Sequence, residues 1–319
     1  MKNNFFYKIF FVFFFSIFYT NLVFSEQFNF DVTEVEILDN GNLYKGLKRG
    51  IIKSTDGIII EGNTFLYNKK SNIIIIEGKV KIEDQNNGYT IFSDQATYKK
   101  NEEVITTIGN SKALDQENRI ITANKFIYNK LENIINAEGK AELENIADDY
   151  VVKSEIITYF INDQKIITSG NTKANINSEY EIESKDVSLL LDQNKLSSKK
   201  KSIIKDSNSQ VYYLDEFLLF TNKKILKGKN ILTITNFGLP KSDKFYFSEG
   251  IFDLNNKIFT AKETKINIHK DVFGVEENDP RIYGVSSNGD ENLTTIKKGV
   301  FTSCQKRDGC PPWSIKSEE

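Results

Sequence analysis

Residues 63–82 read NTFLYNKKSNIIIIEGKVKI. Two aromatics at alternate positions, Phe65 and Tyr67, lead into a polar run, NKKSN. Four isoleucines and a glycine follow, and beyond the glycine every second residue is apolar. The same order returns as DQATYKKNEEVITTIGNSKAL (94–114), NKFIYNKLENIINAEGKAEL (124–143) and EIITYFINDQKIITSGNTKANI (155–176). The tyrosines are Tyr67, Tyr98, Tyr128 and Tyr159, and a glycine follows each by eleven residues: Gly78, Gly109, Gly139 and Gly170. Both series step by 31, 30 and 31 residues. Self-similarity at a fixed period marks a repeat architecture. Leu189 and Leu219 take the tyrosine position in further units, and a looser copy lies at 248–268. Five residues before the slot the residue is mostly small: Gly62, Ser93, Ala123, Ser154 and Ser184. About seven units therefore run between residues 56 and 268.

Parity gives the local structure. Around the first glycine, Ile74, Ile76, Val80 and Ile82 share one parity, while Lys79 and Lys81 share the other. In the third unit Ile135, Ala137, Ala141 and Leu143 face Lys140 and Glu142 in the same way. A period of two over about nine residues predicts a half-buried strand. The tyrosine and the residue two before it, Phe65, Ala96, Phe126 or Ile157, predict a second, short strand of the same parity. Polar segments such as NKKSN and NKLEN supply the turns. Each unit then holds two strands and two turns, about 14 strands in all, with no helical period among them. The expected fold class is all-β: an open jelly roll or flattened solenoid of antiparallel strands with two facing layers. A mid-strand glycine signals either a tight bend or the close approach of another backbone or a ligand. The tyrosines read first as a core stripe with hydroxyls at its rim, and second as ligand contacts.

The N-terminus reads as an address. Lys2 and Lys8 precede the apolar run IFFVFFFSIF (9–18), and Val23-Phe24-Ser25 offers a cleavage site. That order is the mark of a secretory signal peptide over residues 1–25. The run is shorter than the roughly 20 residues a spanning helix needs. Export places the two cysteines in an oxidising compartment. The net charge of −2 provides no strong field for nucleic acid, and lysines do not interleave with aromatics on one face.

The residue inventory disfavours an enzyme. His269 is the only histidine, so any Ser-His-Asp or Cys-His arrangement rests on it alone. No glycine-rich loop opens a helix, which removes the phosphate-binding motifs. Two cysteines and one histidine are too few for a zinc site, and no cofactor or metal is expected. The carboxylate pairs Glu102-Glu103 and Asp148-Asp149 read as solvated turns. What remains is shape: strands whose inner row of Ile, Val, Ala and Thr encloses a long apolar slot, with terminal edges open to strand addition.

The repeat, an aromatic-Asn/Lys turn followed by Ile-x-Ala/Glu-x-Gly-x-Ala/Val, resembles the OstA repeat of the lipopolysaccharide-transport proteins over roughly residues 29–268. That family includes the periplasmic bridge protein LptA and the N-terminal domain of the outer-membrane assembly protein LptD. The tail is similar to a signature of the LptD branch: Phe301-Thr302-Ser303-Cys304, a polar spacer, then Pro312-Trp313-Ser314-Ile315. The resemblance implies an OstA/LptA-like jelly roll at 26–270, then a linker and the approach to a barrel at 271–319, with 271–300 loop-rich. The sequence ends at Glu319, before such a barrel, so a truncated or split member of that branch is expected. Implied partners are lipopolysaccharide, an LptA-like bridge joined by edge-strand addition, and an outer-membrane barrel with an LptE-like lipoprotein. The implied location is the periplasm, at the outer membrane. In that branch a cysteine of the tail can bond to the barrel; here Cys304–Cys310 is the only intrachain pairing available. The implied cargo carries acyl chains, and exposing one long chain to water costs on the order of 10 kcal/mol. Candidate lining residues are Phe65, Ile74, Ile76, Val80, Phe126, Ile135, Leu143 and Ile157. The competing readings are a free-standing LptA-like bridge and a structural β-solenoid surface protein with a filled core.

Overall fold

A computed structural model describes residues 28–275, 277–306, 309 and 311–318. The segment expected to be a signal peptide, residues 1–25, and Cys310 lie outside the described residues. All 26 described strands join one antiparallel sheet, and the only helices among the described residues are three short 3-10 turns. The fold is therefore all-β, a jelly roll made by folding one long sheet over on itself. No helix among the described residues is long and apolar enough to cross a membrane.

The bend is written by the repeat glycine. In the strand Ile73–Asp84, Glu77 lies opposite Gln95 and Val80 lies opposite Ser93. Two residues, Gly78 and Lys79, thus face the single Asp94: a β-bulge. Both take positive φ, +75° and +50°. Glycine enters that region without the cost of a Cβ, and the lysine follows it there. The pattern recurs at Gly109 (+83°) with Asn110 (+42°), and at Gly139 (+78°) with Lys140 (+53°). Stacked one above another, these bulges form a crease. The glycine is no ligand contact: a Cβ on Gly78 would lie 2.7 Å from the Asn63 side chain, and one on Gly139 would lie 2.9 Å from Asn124. Of the two readings the sequence allowed, the tight bend is the one realised.

The crease sorts each long strand into two halves. Segments 73–77, 95–99, 104–108, 125–129, 134–138, 156–160 and 165–169 build a first leaf. Segments 80–84, 89–93, 111–114, 120–123, 141–145, 150–154 and 172–176 build a second. Val35–Leu38, Leu43–Gly46 and Thr64–Asn68 extend the first leaf at its N-terminal end. Phe28–Val32, Gly50–Ser54 and Ile58–Gly62 extend the second. Tyr67, Leu189 and Leu219 lie in the short strands expected, Thr64–Asn68, Ser188–Leu190 and Glu216–Phe220. The strands holding Tyr98, Tyr128 and Tyr159 instead run nearly as long as their partners, as Tyr89–Lys99 does against Ile73–Asp84. The parity of Tyr89–Lys99 breaks at the crease: Tyr89, Ile91 and Ser93 point inward, and so do Ala96 and Tyr98, with two residues between the sets. A search for strict alternation stops at that break.

The small residue five places before the slot has its reason here. Ser93, buried at the crease, donates to the carbonyl of Gly109 at 2.9 Å and lies 3.2 Å from the Ser111 hydroxyl. Ser154 donates to the carbonyl of Ser169 at 3.1 Å, and Ser184 pairs with Ser202 at 2.8 Å. Bulges free backbone carbonyls, and a buried carbonyl needs a donor. Gly62 takes this place where no side chain fits, since a Cβ would meet Ile76 at 2.2 Å.

The stretch expected as a loop-rich connection carries sheet. Arg281–Gly289 pairs along its length with Ile258–Asn267, and Thr294–Lys297 and Val300–Thr302 pair onto it in turn. Its inward residues are polar or small, Thr264 against Ser287 at 2.7 Å, which hides the apolar alternation from sequence reading. Thr302 donates to the carbonyl of Trp313 at 2.9 Å, and Ile315–Lys316 adds to Val300–Thr302, so the tail folds back onto the second leaf.

Candidate functional site

The two leaves meet at the crease and face each other across an apolar interior. Opposite the crease lies a mouth, and the tyrosine series sits along it. Tyr98, Tyr128 and Tyr159 are almost fully buried, so each hydroxyl needs a polar partner. Each finds one across the mouth. The Tyr98 hydroxyl, on the first leaf, lies 2.7 Å from Glu103 and 3.2 Å from Asp56, which sits on a turn of the second leaf. Lys100 reaches Asp56 at 3.1 Å, Lys130 also pairs with Asp56, and Lys130 stands 3.4 Å from Glu103. Tyr128 donates to Asp84 at 2.7 Å, and Asn87 donates to the Tyr128 hydroxyl at 3.0 Å. Arg119, held by Asp115, donates from the second leaf to the Tyr159 hydroxyl and to Gln164, both at 3.1 Å.

Electrostatics follow from this lacing. Burial pushes the Asp56 carboxyl up, but hydrogen bonds from Lys130, Ser54 and Lys100 outweigh it and hold the group well below the usual carboxylate range. Burial pushes the Tyr98 hydroxyl well above the usual range, helped by Glu103, and does the same to Tyr128, helped by Asp84. Tyr150 is pushed up to about 12 by burial.

Past Phe160 the tyrosine lacing ends, and an ion pair between Lys224 and Glu179 at 2.7 Å is what spans the mouth. The slot holds Leu189 and Leu219, which have no hydroxyl to bridge the mouth. There the leaves part around a depression of about 380 Å³, lined by Tyr212, Phe245, Phe247, Phe252 and Phe259. The Phe247 and Phe259 rings stand 5.6 Å apart, Tyr212 and Phe252 5.4 Å. Thr233 lines the same space, and its buried hydroxyl has no hydrogen-bond partner. Burial raises the Asp206 carboxyl at the rim despite hydrogen bonds from the backbone N–H groups of Gln210 and Asn208. The site is an aromatic floor beneath a polar rim, and the rim carries five carboxylates, Asp206, Asp243, Asp253, Asp290 and Glu291, with one lysine, Lys257.

The eight residues proposed as slot lining, Phe65, Ile74, Ile76, Val80, Phe126, Ile135, Leu143 and Ile157, all lie between the leaves and are buried in one continuous core. Six stand on the first leaf, Val80 and Leu143 on the second. Ile135 and Leu143 border a gap of about 10 Å³; none of the eight lines the opening. Of the aromatics that do line it, Phe252 and Phe259 belong to the loosest copy, and Tyr212, Phe245 and Phe247 fall outside the aligned repeat positions. Their signal was the density of Phe in 245–259. His269 serves a turn: its Nδ1 and its backbone N–H each lie 2.8 Å from Asp243. Among the described residues no cluster of His, Cys, Asp and Glu is arranged to hold a metal. Cys304 is half-buried and its backbone N–H donates to Thr302 at 3.2 Å; its pairing with Cys310 falls outside the described residues.

No family model and no curated protein matches this chain. Among solved structures it is similar to LptH of Pseudomonas aeruginosa, the LptA-homologous periplasmic component of the lipopolysaccharide transport device. Identity is 15%, the TM-score is 0.21, and the match covers 43% of this chain and 79% of that one. The fold assignment above rests on strand pairing alone, independently of this likeness.

Proposed function

We propose that this protein is an exported carrier of lipopolysaccharide, shielding acyl chains between its two leaves as a periplasmic bridge module of the LptA type. The observation that carries the reading is the aromatic opening around Phe247, Phe252 and Phe259, continuous with the apolar interior. Each methylene moved there from water gains roughly 0.8 kcal/mol, so an acyl chain seated there binds with no single dominant residue. The unpartnered Thr233 hydroxyl offers a hydrogen bond to an ester or amide near the chain's head. The cargo's identity follows from the resemblance of the repeat to OstA. Bridge partners add by strand pairing: among the described residues Val35–Leu38 pairs only with Leu43–Gly46, and Phe28–Val32 only with Gly50–Ser54.

An LptD-type role is the second reading, favoured by the tail, where Thr302 and Trp313 bind each other and Ile315–Lys316 covers the second leaf's other end. Photo-crosslinkers at Phe247, Phe252 and Phe259 are expected to capture lipopolysaccharide in cells. Capture only from outward positions such as Lys153 overturns the carrier reading. End-to-end oligomers that grow with concentration support the bridge; a chain that stays monomeric and co-purifies with an outer-membrane barrel supports the second reading.

A further inference from the structure

The outer face of the C-terminal part of the first leaf carries a second depression, of about 880 Å³, on the side of the sheet away from the slot. Its floor is a row of cross-strand neighbours. Ile167 lies opposite Ser188, Ser188 opposite Ser197, and Ser197 opposite Leu218. Leu218 lies opposite Lys227, Lys227 opposite Ile251, and Ile251 opposite Thr260. The serines sink the floor between Ile167 and Leu218. From Ile167 to Ile251 is five inter-strand steps, about 24 Å at the spacing of paired strands.

The walls are unevenly charged. Seven lysines and three carboxylates line the depression, in a chain whose net charge is −2. On the crease side the charges neutralise one another, Lys229 with Glu216 at 3.2 Å and Lys262 with Glu249 at 2.9 Å. Lys200 stands 4.0 Å from the third carboxylate, Asp186. Lys165, Lys195, Lys199 and Lys227 remain with no ion pair among the described residues. Lys165 and Lys227 instead lie 6.0 Å over the rings of Phe160 and Phe220. Four unmatched cations along an apolar trough complement one kind of ligand. A neutral alkyl chain leaves the lysines unused, and a free anion leaves the floor in water.

We infer that this outer trough binds a single long-chain anionic amphiphile, its alkyl chain along Leu218 towards Ile167 and its head at Lys195 and Lys227, beside Ile251. The site uses other side chains than the slot and stands whether or not the slot carries lipopolysaccharide.

The test titrates the full chain with sodium dodecanoate below its micelle concentration and follows the Ile167 and Ile251 methyl resonances. Saturable shifts at both are expected, with Ile74 in the core unmoved. Dodecyl maltoside is expected to bind at least about tenfold more weakly, and the double variant K195E/K227E to weaken dodecanoate by about tenfold or more, which is the loss of roughly 1.4 kcal/mol. The inference is overturned by shifts confined to Phe247 and Phe252 in the slot, or by affinity indifferent to the charge reversals. Equal shifts with inorganic phosphate alone, or binding to phosphatidylglycerol vesicles without binding to monomeric dodecanoate, overturn it as well.

Discussion

The units up to Phe160 and those beyond it share a backbone plan and differ at one repeated position. In the first set the slot is tyrosine: across the mouth Tyr98 and Tyr128 reach an acid and Tyr159 an arginine, while Tyr67 donates to Asn72 in its own turn. In the second set the slot is leucine or lies among phenylalanines, and the leaves part around the opening. Buried tyrosine must find a partner, and in a folded-over sheet the partner available at the mouth belongs to the other leaf. Leucine makes no such demand. The leucine units are filled as well, with Leu189 and Leu219 buried in the same core, and the opening lies in the last, loosest copy among the phenylalanines.

The largest effect is expected at Asp56, where Asp56→Leu removes one of the two carboxylates that Lys100 and Lys130 share and leaves Glu103 to serve both. With both ammonium groups largely buried the loss is about 2–3 kcal/mol, read as a lower urea midpoint. Asp253, exposed at the open end, is the control; Asp253→Asn is expected to change stability by less than about 0.5 kcal/mol. Equal losses at the two sites break the comparison.

Next comes the crease. Gly139→Val forces a β-branched residue to φ +78° with its Cβ 2.9 Å from Asn124, at a cost of about 1–3 kcal/mol. A smaller effect is expected from Tyr128→Phe, about 1–2 kcal/mol, because Asp84 loses a donor. That variant sharpens the contrast further: an unlaced mouth should bind more of a hydrophobic dye, while Tyr246→Phe, outside the lacing, should not.

The smallest effects are in pH dependence. The Asp56 carboxyl is depressed in the folded state, so its contribution is fully present above the unfolded value of about 3.9 and is lost as pH falls through the lower folded value. Asp56→Asn should remove that acid slope. Tyr150 moves the other way: its folded value is about 12, so its contribution holds below about pH 10 and is lost as pH rises towards 12. The absorbance change of the buried tyrosines should therefore appear only with unfolding; full tyrosine ionisation while the chain stays folded contradicts the buried lacing.

Much of this was legible in the residues. The spacing of Tyr67, Tyr98, Tyr128 and Tyr159 gave the unit, and the parity of Ile74, Ile76, Val80 and Ile82 gave the inner face. The bulge was not separable from a ligand approach, because both use a mid-strand glycine. Arg281–Gly289 was hidden because a serine facing a threonine can fill an inward position as a hydrogen-bonded pair. The opening was hidden for a different reason. Parity assigns a side of the sheet, and Ile74 and Phe252 both have the inward side.

The sequence by itself determined that the chain is a stack of paired strands with one apolar face, since a period of two repeated every 31 or 30 residues admits little else. Only the tertiary structure decided where that face is filled and where it is open. Filling depends on how far apart two leaves stand, and that distance is set by contacts such as Tyr128 with Asp84, 44 residues apart in the chain.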